Sequence, residues 1–236
     1  MAEFSFDIPA QPTDTSCGPT CLHAVYRHYG EPLELGKVIE QTREVPEGGT
    51  LDAYLALHAL QRGYRATIYT HTLKVFDPTW FELPREDMAQ KLRLQMRHKR
   101  GWKLDVASRG YIEFLEHGGQ LRMEDLTGRL LRRYLKRGVP ILTGLSSTWL
   151  YRMRRELRDA SCAEDDLRGE PTGHFVVLHG YDRQTREVLV ADPYAPNPVS
   201  VQRNYRVKME RLIAAVLVGV VSFDCNLLVI EPGAGR

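Results

Sequence analysis

The chain has 236 residues, 43% of them hydrophobic and 26% charged, with a formal net charge of +2. That length supports a proper core in one large domain or two small ones. So small a net charge demands neither a nucleic-acid partner nor an anionic membrane. The opening residues, MAEFSFDIPA, lack the basic and apolar regions of a secretory signal, and the longest apolar run, Leu212 to Val221, is too short to span a bilayer. Cys17, Cys21, Cys162 and Cys225 form no dense disulfide pattern, so reduced thiols in a soluble, cytoplasmic protein are expected.

Phe4 to Ile8 alternates apolar and polar residues and predicts a short strand. Gln11 to Gly30, QPTDTSCGPTCLHAVYRHYG, opens as a turn-rich loop and continues with Cys21, Leu22, Val25, Tyr26 and Tyr29 at helical spacing. Pro19 suits the first turn of that helix and Gly30 its stop. Cys17 is therefore expected at or just before a helix N-terminus. Unpaired N–H groups and the helix dipole favour an anion there, and such a setting lowers a thiol pKa from about 8.5.

Leu33 to Gln41 predicts a second helix, and Thr50 is read as the N-cap of a third, Leu51 to Arg62, closed by Gly63. Tyr64 to Thr70 alternates as a strand does. Residues 74–84 read as irregular, Glu86 to Lys99 as a basic helix, and Tyr111 to Glu116 as helical before a Gly118-Gly119 turn. Met123 to Arg137 predicts a helix with Leu126, Leu130, Leu131 and Leu135 on one stripe, followed by a buried strand from Val139 to Gly144. A basic helical piece is expected from Trp149 to Asp159, ahead of an acidic loop.

Phe175 to Tyr181 and Glu187 to Ala191 then read as the two strands of a hairpin. Tyr205 to Ala215 reads as helical, and Val216 to Phe223 and Leu227 to Ile230 as late strands. Helices come first and most strands later, which is an α+β order. The basic helices read as solvated faces, because no nucleic-acid-binding motif accompanies them.

A cysteine nucleophile needs a base for its proton, a third group to orient that base, and donors for an oxyanion. His174 enters the first hairpin strand and Asp192-Pro193 ends the second. In an antiparallel hairpin these ends meet, so His174 and Asp192 are expected neighbours, either opposite or diagonal. Cys17, Cys21 and His23 are a weak metal pattern, because no second pair of ligands has suitable spacing. No metal or cofactor is expected.

Gln11-x5-Cys17-Gly18-Pro19, Gly138-Val139-Pro140-Ile141-Leu142, Gly173-His174-Phe175-Val176-Val177 and Ala191-Asp192-Pro193 together resemble the C39-like cysteine peptidases. These belong to the papain-like superfamily and include the leader-cleaving domains of bacteriocin exporters. The resemblance implies an α+β papain-like fold, with a nucleophile-bearing N-terminal helix packed on an antiparallel sheet. It implies Cys17 as nucleophile, His174 as general base and Asp192 as the orienting residue. It further implies an oxyanion hole from the side-chain amide of Gln11 and the backbone N–H of Cys17.

The expected organisation is one stand-alone domain over residues 1–236, without exporter membrane or ATPase segments. Its family-like core runs from about residue 8 to 195, with extra segments at about 72–120 and 148–171. Ser16 stands where exporter-type domains usually carry Asp. The implied activity is hydrolysis of a peptide or amide bond through a thioester. An acyltransferase or transpeptidase on the same site, and a non-catalytic peptide-binding domain, are the alternatives.

Overall fold

Breakers in the sequence set most of the element boundaries. The computed structural model describes residues 6–157, 163–219 and 225–234. Helix α1 (Cys17–His28) starts at the cysteine itself and closes through Tyr29 and Gly30, whose φ of 78° is the left-handed stop a glycine supplies. α2 (Leu35–Gln41) and α3 (Asp52–Gln61) follow, and β1 (Tyr64–Thr70) begins directly after Gly63. A short 3-10 helix (Pro78–Glu82) leads into α4 (Arg85–His98), α5 (Trp102–Glu116) and β2 (Gln120–Arg122). Then come α6 (Gly128–Leu135), β3 (Ile141–Ser146), α7 (Ser147–Tyr151), β4 (Gly173–Asp182) and β5 (Glu187–Ala191). β6 (Asn204–Lys208), α8 (Met209–Val218) and β7 (Asn226–Pro232) complete the series.

The strands form one sheet in the order β2-β1-β7-β3-β4-β5-β6, antiparallel throughout except for the β1–β2 pair. Its central strands are apolar on both faces. Phe175 and Val177 of β4, with Leu228 and Ile230 of β7, join the core formed with α1, α3, α4 and α5. Their neighbours Val176, Leu178, Leu227 and Val229 join a second core with α6, α7 and α8. Helices thus cover both faces of the sheet, and strands buried on both sides read as continuous apolar runs. This is the expected α+β class, with α1 docked on the face of β4.

The close seat of α1 depends on Gly18. A Cβ there would lie 2.6 Å from Thr50 Cγ2, 3.2 Å from Phe175 Cδ2 and 3.3 Å from Leu55 Cδ1.

Several sequence expectations are corrected. α6 begins at Gly128 rather than Met123, because the Thr127 hydroxyl accepts from Leu130 N–H and caps the helix there. Thr50 does not cap α3; its hydroxyl donates to Arg43 O at 2.7 Å. Tyr205 starts no helix, since residues 204–208 pair along β5 as an edge strand and α8 begins only at Met209. Val216 to Val218 lie in α8, and the rest of that expected strand, from residue 220, falls outside the described residues.

The helix expected from Trp149 stops at Tyr151, where Arg152 turns left-handed with φ 55°; residues 158–159 lie outside the described residues. Of the strand expected from Phe4 to Ile8, residues 4–5 lie outside the described residues and Phe6 to Ile8 form no strand. Phe6 N–H instead donates to Asn204 Oδ1, and Asn204 Nδ2 donates to Phe6 O, both at 3.0 Å. β2 has no counterpart in the sequence reading, and α5 begins nine residues before the helical stretch expected there.

Candidate active site

Cys17 is the first residue of α1 and is partly exposed, where the first N–H groups of the helix have no intrahelical acceptor. The preceding loop is folded tightly onto it. Ser16 Oγ and Ser16 N–H both donate to Thr13 O, at 2.9 and 3.2 Å, and Thr13 N–H donates back to Ser16 Oγ at 3.0 Å. One turn further on, Cys21 is fully buried and its thiol donates to Phe175 O at 3.2 Å. Burial, then the charges of Cys17 and Asp192, push the Cys21 pKa well above its ordinary value.

His174 lies near the start of β4. The last β4–β5 pair is Val177 with Ala191, so Asp192 falls level with Val176 and His174 sits on its diagonal. That geometry gives a bond of 2.8 Å from His174 Nε2 to Asp192 Oδ1. Nε2 is committed to the carboxylate, so Nδ1 is the nitrogen left for Cys17. Burial alone would lower the His174 pKa. The Asp192 charge and hydrogen bond, then the neighbouring Cys17, reverse this and raise it above the ordinary 6.5.

Asp192 is wholly buried and receives four donors. Oδ1 accepts from His174 Nε2 and, at 2.9 Å, from Tyr194 N–H. Oδ2 accepts from Tyr151 OH at 2.6 Å and Tyr205 OH at 2.7 Å. Burying an unpaired carboxylate costs several kcal/mol, and each hydrogen bond to a charged group returns about 1.5–3 kcal/mol. Four donors therefore reverse the effect of burial. Desolvation pushes the Asp192 pKa up, but the His174 charge and bond, then the bonds from Tyr151 and Tyr205, hold it below the usual carboxylate value.

Gln11 is tied to both parts of the site. Its backbone N–H donates to Pro193 O at 3.0 Å, directly after Asp192. Its Nε2 donates to Thr13 O at 3.0 Å, the same carbonyl that Ser16 uses. A primary amide has two N–H groups, so a second one remains for an incoming oxygen. Gln11 Oε1 is buried without a hydrogen-bond partner among the described residues.

The structure therefore gathers Gln11, Cys17, His174 and Asp192 around one end of α1. His23 is buried along α1, where burial first and then Arg27 push its pKa down, and Cys162 lies outside the described residues. His179 occupies an irregularity between Leu178 and Gly180, its ring tilted against Phe6 at 5.3 Å, and burial pushes its pKa down to about 4. Sequence reading missed Tyr151, Tyr194 and Tyr205. For Tyr194 a signal existed: an aspartate before Pro-Tyr readily accepts the N–H two residues on, the Asx-turn habit. Tyr151 and Tyr205 carried none, because their contacts depend on the placement of α7 and β6.

The sequence profile of the Peptidase_C39 like family matches residues 115–214, a stretch that holds His174 and Asp192 but not Gln11 or Cys17. No curated protein sequence matches the chain. Among solved structures, a protein from Bacillus anthracis designated a C39-like peptidase aligns over 96% of this chain and 94% of its own, with a TM-score of 0.51 and 14% identity. The peptidase domain of Streptococcus ComA, a bi-functional ABC transporter involved in a quorum sensing pathway, aligns over 97% and 99% with a TM-score of 0.45 and 14% identity. Xylellain, a cysteine protease from Xylella fastidiosa, aligns over 98% and 84% with a TM-score of 0.45 and 16% identity. Identities this low speak to the fold alone, and the B. anthracis structure carries that comparison. Residues 115–214 thus match the Peptidase_C39 like family, and the fold of the chain resembles that of the B. anthracis protein.

Proposed function

We propose that this chain is a cysteine peptidase or amidohydrolase that cleaves a peptide or amide bond through a thioester on Cys17. The observation that carries the reading is the buried 2.8 Å bond between His174 and Asp192, with Cys17 at the start of α1 near enough to help raise the His174 pKa. In this reading His174 Nδ1 takes the thiol proton while Nε2–H stays on Asp192, which fixes the tautomer and supports the imidazolium. Sulfur attacks the substrate carbonyl. The developing oxyanion accepts from Cys17 N–H and the free N–H of the Gln11 amide. His174 returns the proton to the leaving amine, and water, deprotonated by the same imidazole, then cleaves the thioester.

Turnover is tested on a library of peptides and N-acyl amides in ¹⁸O-water, comparing the wild type with Cys17→Ser. The expected result is wild-type cleavage with label in the new carboxyl group, and none in the variant. Acyl products on an added amine without ¹⁸O would identify a transferase. Cleavage that survives Cys17→Ser, or neither turnover nor an adduct on Cys17, would overturn the reading.

A further inference from the structure

Two phenols meet the carboxylate oxygen that histidine does not use. Tyr151 ends α7 and Tyr205 lies in β6, and both donate to Asp192 Oδ2, at 2.6 and 2.7 Å. Distances this short mark charge-assisted bonds to an ionised oxygen. Tyr151 is 7% exposed and its pKa is driven far upward by burial, then by the charges of Asp192 and Tyr205; Tyr205 is driven up likewise. Both stay neutral donors across any working pH.

α7 has only five residues, yet it is stitched to the entrance of β4 and to α8. Ser147 N–H and Oγ both donate to Thr172 O, at 3.0 and 2.9 Å, and Thr172 N–H donates to Thr148 Oγ1 at 2.9 Å. Arg211 of α8 donates through Nε to Leu150 O at 3.1 Å. These bonds fix the end of α7, and with it Tyr151, in the same frame as His174. The rings of Tyr151 and Tyr194 stand 6.1 and 6.2 Å from the His174 ring, so they also flank the imidazole.

We infer that Tyr151 and Tyr205 are a pair of positioning residues for the acyl-transfer site. They clamp Asp192 Oδ2 from two elements, keep the carboxylate ionised in a dry setting, and turn Oδ1 toward His174. The inference rests on the cysteine-peptidase reading above. The groups facing Asp192 are His174 from β4, Tyr194 N–H from its own loop, Tyr151 from α7, Tyr205 from β6, and the neutral Cys21 thiol from α1. With either phenol alone, Oδ2 still has a donor; with neither, it is a buried charge without one on that side. Each phenol therefore covers in part for the other, and losing both costs more than the two single losses together.

The test is the pH profile of Cys17 alkylation by iodoacetamide, which needs no known substrate. It is read on wild type, Tyr151→Phe, Tyr205→Phe and the double variant. Losing donors to a carboxylate raises its pKa, so the acid limb moves to higher pH. Each single change is expected to move it by about 0.3–0.5 pH units and the double change by more than about 1 unit, beyond the sum of the two. Tyr134→Phe removes a buried phenol bond of 2.6 Å to Tyr69 elsewhere, and is expected to leave the limb in place.

If the double variant fails to fold, the single variants against Tyr134→Phe decide the matter. An acid limb that stays put in both, whatever the change in Tm, would overturn the inference and leave the tyrosines as packing. A wild type with no fast labelling of Cys17 would sink the peptidase reading itself, before the tyrosines enter.

Discussion

Cys17 and Cys21 stand one turn apart on the same helix and have opposite surroundings. Cys21 is fully buried, donates to Phe175 O and has its pKa pushed well above the ordinary value by burial first. Cys17 is partly exposed at the head of α1 and close enough to His174 to help raise its pKa, and Asp192 holds that imidazole from behind. The residue type and the helix are shared, so neither decides which sulfur can react. In the proposed mechanism what decides is the partner that β4 brings to each. β4 offers Cys21 a backbone carbonyl, and it offers Cys17 an imidazole.

The widest gap between the two sulfurs comes from replacing them. Cys17→Ser is expected to lower kcat by about 10³-fold or more. Cys21→Ser should keep activity within a few-fold while costing about 1–2 kcal/mol of stability, measured by urea unfolding beside a peptide-cleavage assay. Equal losses of activity would break the comparison.

Gln11→Ala sharpens it at the next level. If Gln11 is the oxyanion donor proposed above, removing it lowers kcat by about 10²–10³-fold with KM little changed. A change confined to KM would place Gln11 in substrate binding instead.

Gly18→Ala acts on the helix that carries both cysteines. The added Cβ meets Thr50 at 2.6 Å, so α1 must shift or Thr50 must turn. Overpacking of this kind costs about 1–3 kcal/mol, and displacing Cys17 by a fraction of an ångström should also slow turnover. Unchanged stability and unchanged kcat would show that the seat of α1 is looser than this contact indicates.

The smallest effect is expected at His179, a histidine of β4 in the opposite situation to His174. Its folded pKa lies near 4, below the ordinary 6.5, because burial, then the charge of His28, disfavours protonation. Between those values the unfolded chain binds the proton more readily, so stability falls as the pH is lowered through this window. His179→Gln should flatten that slope, as read by thermal melts across the window. An identical slope would assign it to other groups. For His174 the sign is reversed. Its raised folded pKa contributes stability fully below 6.5 and loses it as pH rises through the folded value.

Much of the site was legible in the sequence because its parts lie at element ends marked by strong local signals. Cys17 precedes Gly-Pro at a helix start, His174 follows a glycine at a strand start, and Asp192 precedes a proline at a strand end. Hairpin geometry alone made His174 and Asp192 neighbours, and the register resolved them as diagonal. The clamp on Asp192 was not legible. Tyr151 ends a five-residue helix, too short for periodicity to declare. Tyr205 lies in a strand whose sequence, NYRVK, runs straight into the helical pattern of α8, and only its pairing with β5 makes it extended. Pairing across the sheet outweighed local propensity there.

The central claim is that His174, backed by Asp192, makes Cys17 unlike Cys21 and Cys225. The most direct measurement is the rate of iodoacetamide labelling at each sulfur against pH, read by mass spectrometry in wild type and His174→Ala. The account predicts fast labelling of Cys17 below about pH 7, at least about tenfold slower in His174→Ala, with Cys21 and Cys225 protected while the protein is folded. Cys17 reacting no faster than Cys225, or equally fast without His174, would contradict it.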